Sequence, residues 1–135
     1  MNMTRRLMTF GAVTAAVAGM LTVGAPPASA DSHYGCIYPR VCFYLTDADF
    51  FNDHPTAAYQ DVTSYYQNLG SNSRGANWVV NTRNDDRAYI RYVENGQTKY
   101  YCLTPDDPIN GGSIREWGSW DTVTGIRIDW ASTCP

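Results

Sequence analysis

Polar and apolar residues alternate between Arg87 and Val93: Ala88, Ile90 and Tyr92 fall on one face of an extended segment, with Tyr89, Arg91 and Val93 on the other. Ile126, Ile128 and Trp130 repeat the habit opposite Arg127 and Asp129. Shorter runs rich in β-branched and aromatic residues have the same strand character: VCFYL (41–45), NWVVN (77–81), TKYYCL (98–103) and SIREW (113–117). Turn residues separate them, in NDD (84–86), ENGQ (94–97), TPDDPINGG (104–112) and GSWD (118–121). Short strands with such punctuation predict an all-β sandwich or barrel. Only the stretch 56–70 has room for a helical turn, and it reads equally well as a strand and a long loop. Asn84-Asp85-Asp86 and Asp106-Asp107 read as turn residues whose carboxylates cap local backbone N–H groups.

The chain carries an internal echo. NSRGANWVVN (72–81) and SWDTVTGIRID (119–129) both run from a polar turn through a small residue into an apolar strand. Upstream of each lies a segment of similar style, CFYLTDADFFND (42–53) and YIRYVENGQTKYYC (89–102). In the second, Gly96 follows Tyr89 by seven residues, a spacing that suits a folded-over hairpin with the ring across the bend and the glycine at positive φ. Asn52 is expected to take the glycine's place in the first copy. Two such copies predict a two-sheet domain of paired Greek keys.

The beginning of the chain has a different character. Arg5 and Arg6 precede the apolar stretch 11–24, and Ala28-Ser29-Ala30 has the small-x-small form of a signal-peptidase site. A secretory leader over 1–30 is expected, leaving a single mature domain, 31–135, outside the cell, released or wall-associated. That portion holds eight of the ten basic residues and all thirteen acids, a net charge of −5. It lacks the basic footprint of a nucleic-acid binder and the polybasic patch of a membrane binder. A monomer without a cofactor is expected.

All four cysteines, Cys36, Cys42, Cys102 and Cys134, lie after the leader, and export makes two disulfides the default among three possible pairings. Cys36 and Cys42 enclose only IYPRV, which favours a local bridge and leaves Cys102 to Cys134. The chain-entropy contributions are about 2 kcal/mol for the short loop and a little under ~4 kcal/mol for the long one.

GCIYPRVCFYLTDADF (35–50), NWVVN, AYIRYVENGQTKYYCL (88–103) and the closing TVTGIRI (122–128) together resemble the Streptomyces metalloproteinase inhibitor family. The resemblance implies a secreted βγ-crystallin-like fold and a secreted zinc metalloprotease of the thermolysin type as partner. In that family a cysteine followed by a hydrophobic residue supplies the reactive bond, and a nearby second cysteine clamps the loop. Cys102-Leu103 matches the first feature, so Leu103 is the expected bait, with Thr104 and Pro105 completing the reactive loop. The clamp is missing there, because the next cysteine after Cys102 is Cys134; Pro105 and Pro108 are the stiffening elements that remain. The bland reading of the same residues is a strand end stapled by a disulfide. Cys36–Cys42 is a second candidate for a protease-facing loop, with Tyr38 and Arg40 as its exposed members; the resemblance implies an N-terminal structural bridge there, an ordinary staple.

Other chemistries find less. A βγ-crystallin calcium site needs paired oxygen ligands that neither 72–77 nor 120–125 supplies, the second keeping only Asp121 and Thr124. His33, in an expected loose N-terminus, and His54 lack the company a zinc site requires. No His-Glu-x-x-His or Gly-x-Ser-x-Gly occurs, so the reading is of a binding protein and not an enzyme. Two rivals stand beside inhibition: a glycan-binding, toxin-like module using exposed Trp117 and Trp120 with Leu103 buried, and a structural or calcium-stabilised envelope protein.

Overall fold

A computed structural model describes residues 32–105 and 113–135; the leader and the Asp106-Asp107 turn lie outside those residues. The described chain is all-β with one short helix. In order, it runs through β1 (Ser32–His33), β2 (Cys36–Ile37), β3 (Val41–Tyr44), α1 (Asp47–Phe51), β4 (Ala57–Tyr59) and β5 (Gln67–Asn68). It continues through β6 (Trp78–Asn81), β7 (Arg87–Glu94), β8 (Gln97–Leu103), β9 (Ile114–Glu116) and β10 (Asp121–Asp129). The segment 56–70 holds β4 and β5 and no helix.

Two four-stranded antiparallel sheets form, ordered β4-β3-β6-β9 and β5-β10-β7-β8. Strands β3 to β6 make one set of four and β7 to β10 another. Within each set the first strand pairs with the second and the fourth, and the third crosses to the other set's sheet. The sheets share a core of Val41, Phe43 and Val79 from one and Ala88, Ile90, Leu103, Val123, Ile126 and Ile128 from the other. Period-two alternation places these residues inward, and on β10 a bulge between Val123 and Gly125 puts Val123 on the same face as Ile126 and Ile128.

The first sheet is also covered on its second face. Cys42 and Tyr44 of β3 and Val80 of β6 point away from the shared core into a smaller cluster with Cys36 and Phe50. Burial on both faces is why VCFY reads as a continuous apolar run and not as an alternating one. Phe50 comes from α1, whose start is fixed by a capping box: Thr46 Oγ1 accepts from the Asp49 N–H at 3.1 Å and Asp49 accepts from the Thr46 N–H at 2.9 Å. Its ring is stacked between Tyr34 and Trp78, with centroids 4.3 and 4.2 Å away.

The disulfides are Cys36–Cys42 and Cys102–Cys134. At the β7–β8 turn Asn95 and Gly96 have φ of 51° and 73°, the Asn-Gly pair a two-residue hairpin favours. Three local expectations change. Asn52 caps α1 at φ −97°, and the left-handed residue is its neighbour Asp53, at 57°. Tyr89 pairs with Cys102, near the far end of the hairpin from Gly96, so its ring does not cross the bend. Trp130 does not share the buried face of Ile126 and Ile128, because β10 ends at Asp129 and the indole is 78% exposed.

Candidate functional site

Of the expected reactive loop, Leu103 and Pro105 are buried and Cys102 and Thr104 half-buried. Leu103 ends β8 on the face shared with Tyr101, opposite Ala88, and its exposure is 0%. It sits in the shared core, because one-residue alternation turns Cys102 outward and Leu103 inward. Pro105 is buried as well, and the Thr104 carbonyl accepts a hydrogen bond from Asn81 Nδ2 at 2.9 Å. Cys102, half-buried, is tied to Cys134 as a fold staple. A bait side chain must enter the protease, and the Leu103 side chain points the other way.

The second candidate has the opposite geometry. Within Cys36–Cys42 the two cysteines are buried, while Ile37 is 51% exposed and Tyr38 37%. Arg40 is exposed too, and it borders an adjoining groove of about 360 Å³ lined also by Ala58, Tyr59, Gln60, Asp61 and Gln67. This lining is too polar for a small apolar ligand.

The loop backbone is held from behind by the residues that follow β6. The Thr82 hydroxyl donates to the Arg40 carbonyl at 2.8 Å, and the same oxygen accepts from the Arg40 N–H at 3.2 Å. The Thr82 N–H also donates to the Arg40 carbonyl, at 3.0 Å. Arg83 Nη1 donates to the Pro39 carbonyl at 2.7 Å and to the Gln60 carbonyl at 3.1 Å. The other edge of that guanidinium is taken by Asp86, with Nε donating to Oδ2 at 2.8 Å and Nη2 donating to the same oxygen. Asp86 is therefore a buried counter-ion, 2% exposed, and not a surface turn cap. A charge reads as surface in sequence; here the Pro39 and Gln60 carbonyls and the Asp86 carboxylate converge where only a long donor can satisfy them.

Beside the loop an aromatic ledge reaches solvent. Tyr34 is 41% and Phe51 71% exposed, and Phe51 meets Trp78 edge-on at 6.1 Å. The Tyr44 hydroxyl donates to the Tyr34 carbonyl at 2.7 Å. Burial, and after it the Asp53 charge, push the Tyr44 phenol well above its ordinary value, so it remains a donor across ordinary pH. His33 is part of a β1–β2 hairpin and not of a loose terminus, since it pairs with Cys36.

The remaining expectations separate further. Trp117 is buried, 3% exposed, against Tyr92 and Tyr101. Trp120 and Trp130 are 88% and 78% exposed but stand at opposite ends of β10, about 30 Å apart at strand rise. They form no shared platform for a sugar. Thr124 Oγ1 is engaged with Arg91, accepting from its Nε and donating to its carbonyl. Among the described residues no group of three or more His, Cys, Asp or Glu is placed to hold a metal.

No family model matches this chain, and no curated protein or solved structure does either. Two structural disulfides point to a non-cytoplasmic protein. No helix among the described residues is long and apolar enough to cross a membrane.

Proposed function

We propose that this protein is an extracellular protease inhibitor on a βγ-crystallin-like scaffold, and that it offers Ile37 of the Cys36–Cys42 loop, not Leu103, to the protease. The interlocked strand order supports the scaffold: each set of four strands lends its third strand to the other sheet, as a pair of intertwined Greek keys does. The observation that carries the function is the half-exposed Ile37 in a seven-residue ring closed by a buried disulfide and pinned by Thr82 and Arg83. The resemblance implies a cysteine, an apolar residue after it, and a second cysteine close by as a clamp. Cys36-Ile37 with Cys42 has all three features, at the place where the resemblance itself implies a structural bridge, whereas Cys102-Leu103 lacks the clamp.

The physics is preorganisation. A loop already fixed in its bound shape loses little conformational freedom on docking, so more of the contact energy becomes affinity. A bond cut inside the ring leaves its ends tethered through the disulfide, which favours religation over release. The bulky apolar Ile37 suits a thermolysin-type pocket, and Tyr38 and Arg40 extend the contact. The partner is then a zinc metalloprotease; the protein itself contributes shape and no catalytic group.

The test is titration of thermolysin with the wild-type protein and with Ile37→Asp. Stoichiometric inhibition lost in Ile37→Asp, with an unchanged thermal midpoint, supports the reading. Equal inhibition by both proteins removes Ile37 from the contact. Absence of inhibition at micromolar excess of the wild type ends the thermolysin-type assignment.

A further inference from the structure

The outer face of the β5-β10-β7-β8 sheet takes no part in the loop site. Alternation turns Arg87, Tyr89 and Arg91 of β7 outward while Ala88 and Ile90 fill the core. Arg127 of β10 pairs with Tyr89, and Tyr66 immediately precedes β5. These five residues form a ladder of alternating guanidinium and phenol groups. Arg87 lies 4.9 Å and Arg127 4.6 Å from the Tyr89 ring centroid, and Arg127 and Arg91 lie 5.4 and 5.7 Å from that of Tyr66. Tyr100, 58% exposed, continues it 5.2 Å from Tyr66. Gly125 makes the arrangement possible, since a Cβ there would come within 2.8 Å of the Arg91 guanidinium.

The face is cationic on an acidic chain. Three arginines stand there; Arg87 and Arg127 share one carboxylate, Asp129, and Arg91 spends Nε and Nη2 on Thr124 and Asn68. Their donors are unequally used. Arg87 commits its fork to Asp129 at 2.8 and 3.3 Å and to the Thr133 carbonyl at 2.6 Å. Arg127, at the centre, makes only a 3.4 Å contact with Asp129, and its buried Nε has no hydrogen-bond partner. A guanidinium carries five donors, and the Arg127 side chain is 29% exposed. From Arg87 to Arg91 the cations extend about 13 Å along the strand, more than a single small anion spans.

We propose that this ladder binds an anionic polysaccharide, whose carboxylates engage the open Nη edge of Arg127 and the remaining Nη1 donors of Arg91 and whose hydroxyls meet the phenol edges. An acidic protein is the other class of partner this charge would attract, and polyglutamate stands for it in the test. Arg–carboxylate pairing is bidentate and charge-assisted, which suits a linear polymer with a repeated carboxylate. This site does not depend on the inhibitor reading.

The probe is polygalacturonate, with neutral dextran and polyglutamate alongside, measured by affinity electrophoresis and calorimetry on the protein purified from an exporting host. Binding is expected to polygalacturonate and not to dextran, and to weaken between about 20 and 300 mM salt. Arg127→Gln is expected to lose about tenfold in affinity, the scale of one charged hydrogen bond. Tyr100→Glu, a surface change opposite Arg91 in register, gives the same loss without touching the core, so it serves if Arg127→Gln folds poorly. Arg74→Gln, at an exposed arginine outside the ladder, keeps wild-type affinity. No binding at low salt, an equal loss in Arg74→Gln, or polyglutamate bound as tightly as polygalacturonate overturns the proposal.

Discussion

Arg83→Met removes the strut behind the Cys36–Cys42 loop, and its cost can be worked from the contacts. The guanidinium is almost fully buried; it pairs with Asp86 and donates to the carbonyls of Pro39 and Gln60. Methionine fills much of the volume but leaves the Asp86 carboxylate buried without a cation, a loss of about 3–5 kcal/mol when one member of such a pair is removed. The two orphaned carbonyls belong to the same event and are not added separately. For a domain of this size each kcal/mol lowers the thermal midpoint by about 4 °C, so a fall of about 12–20 °C is expected. Urea unfolding followed by tryptophan fluorescence gives the free energy directly. The double variant Arg83→Met/Asp86→Leu holds no buried charge and is expected to recover most of the loss, which makes the cycle strongly non-additive. A single-variant cost below about 1 kcal/mol, or additivity within about 0.5 kcal/mol, would refute the claim that this buried pair supports the loop.

Leu103→Ala is expected to cost about 2–5 kcal/mol in urea unfolding, as a large-to-small change in a filled core, while the folded fraction keeps whatever inhibition the wild type has. An exposed bait would give the reverse pattern. Thr46→Ala removes the cap of α1 and is expected to cost about 1 kcal/mol by the same assay. Acid stability should depend on Asp129. Burial raises its pKa, but the Arg87 hydrogen bond, the Ala131 N–H and the charges of Arg87 and Arg127 outweigh it and hold the carboxyl below its ordinary value. A depressed folded pKa contributes stability that is present above the unfolded value, near 3.9, and is lost as pH falls through the folded one. Thermal midpoints measured from pH 5 down to about pH 2 should therefore fall less steeply in Asp129→Asn than in the wild type.

The parts of this fold that could be read from sequence are those in which one face differs from the other. Arg87–Val93 alternates cleanly, and its inward and outward sets lie where the pattern places them. Tyr100-Tyr101-Cys102-Leu103 offers no such contrast, so only pairing with Ala88 decides that Leu103 faces inward. A sequence without that contrast does not separate a core leucine from an exposed bait. The helix at Asp47–Phe51 carried a readable signal in Thr46-Asp47-Ala48-Asp49, a capping box just before two phenylalanines. Arg83 and Asp86 carried none: their burial is made by Pro39 and Gln60, which are distant in sequence. Nor did β5, since two residues have no period, and its place is set by pairing with Gly125 and Ile126 of β10, distant in sequence.

The exchange of third strands between the sheets also governs how the chain reaches this structure. Gln67 must find Ile126, and Ile114 must find Val80, before either sheet is complete. Neither set of four strands therefore closes its own hydrogen-bond ladder. Folding waits on contacts far apart in sequence, which places the rate with the slow, topologically complex β proteins, on the order of milliseconds to seconds. For a chain read as exported, that delay is useful. On the proposed extracellular placement it leaves the thiols accessible until they reach a compartment that can oxidise them. Once both strands are exchanged, each sheet holds a strand of the other set, so opening one set requires breaking both.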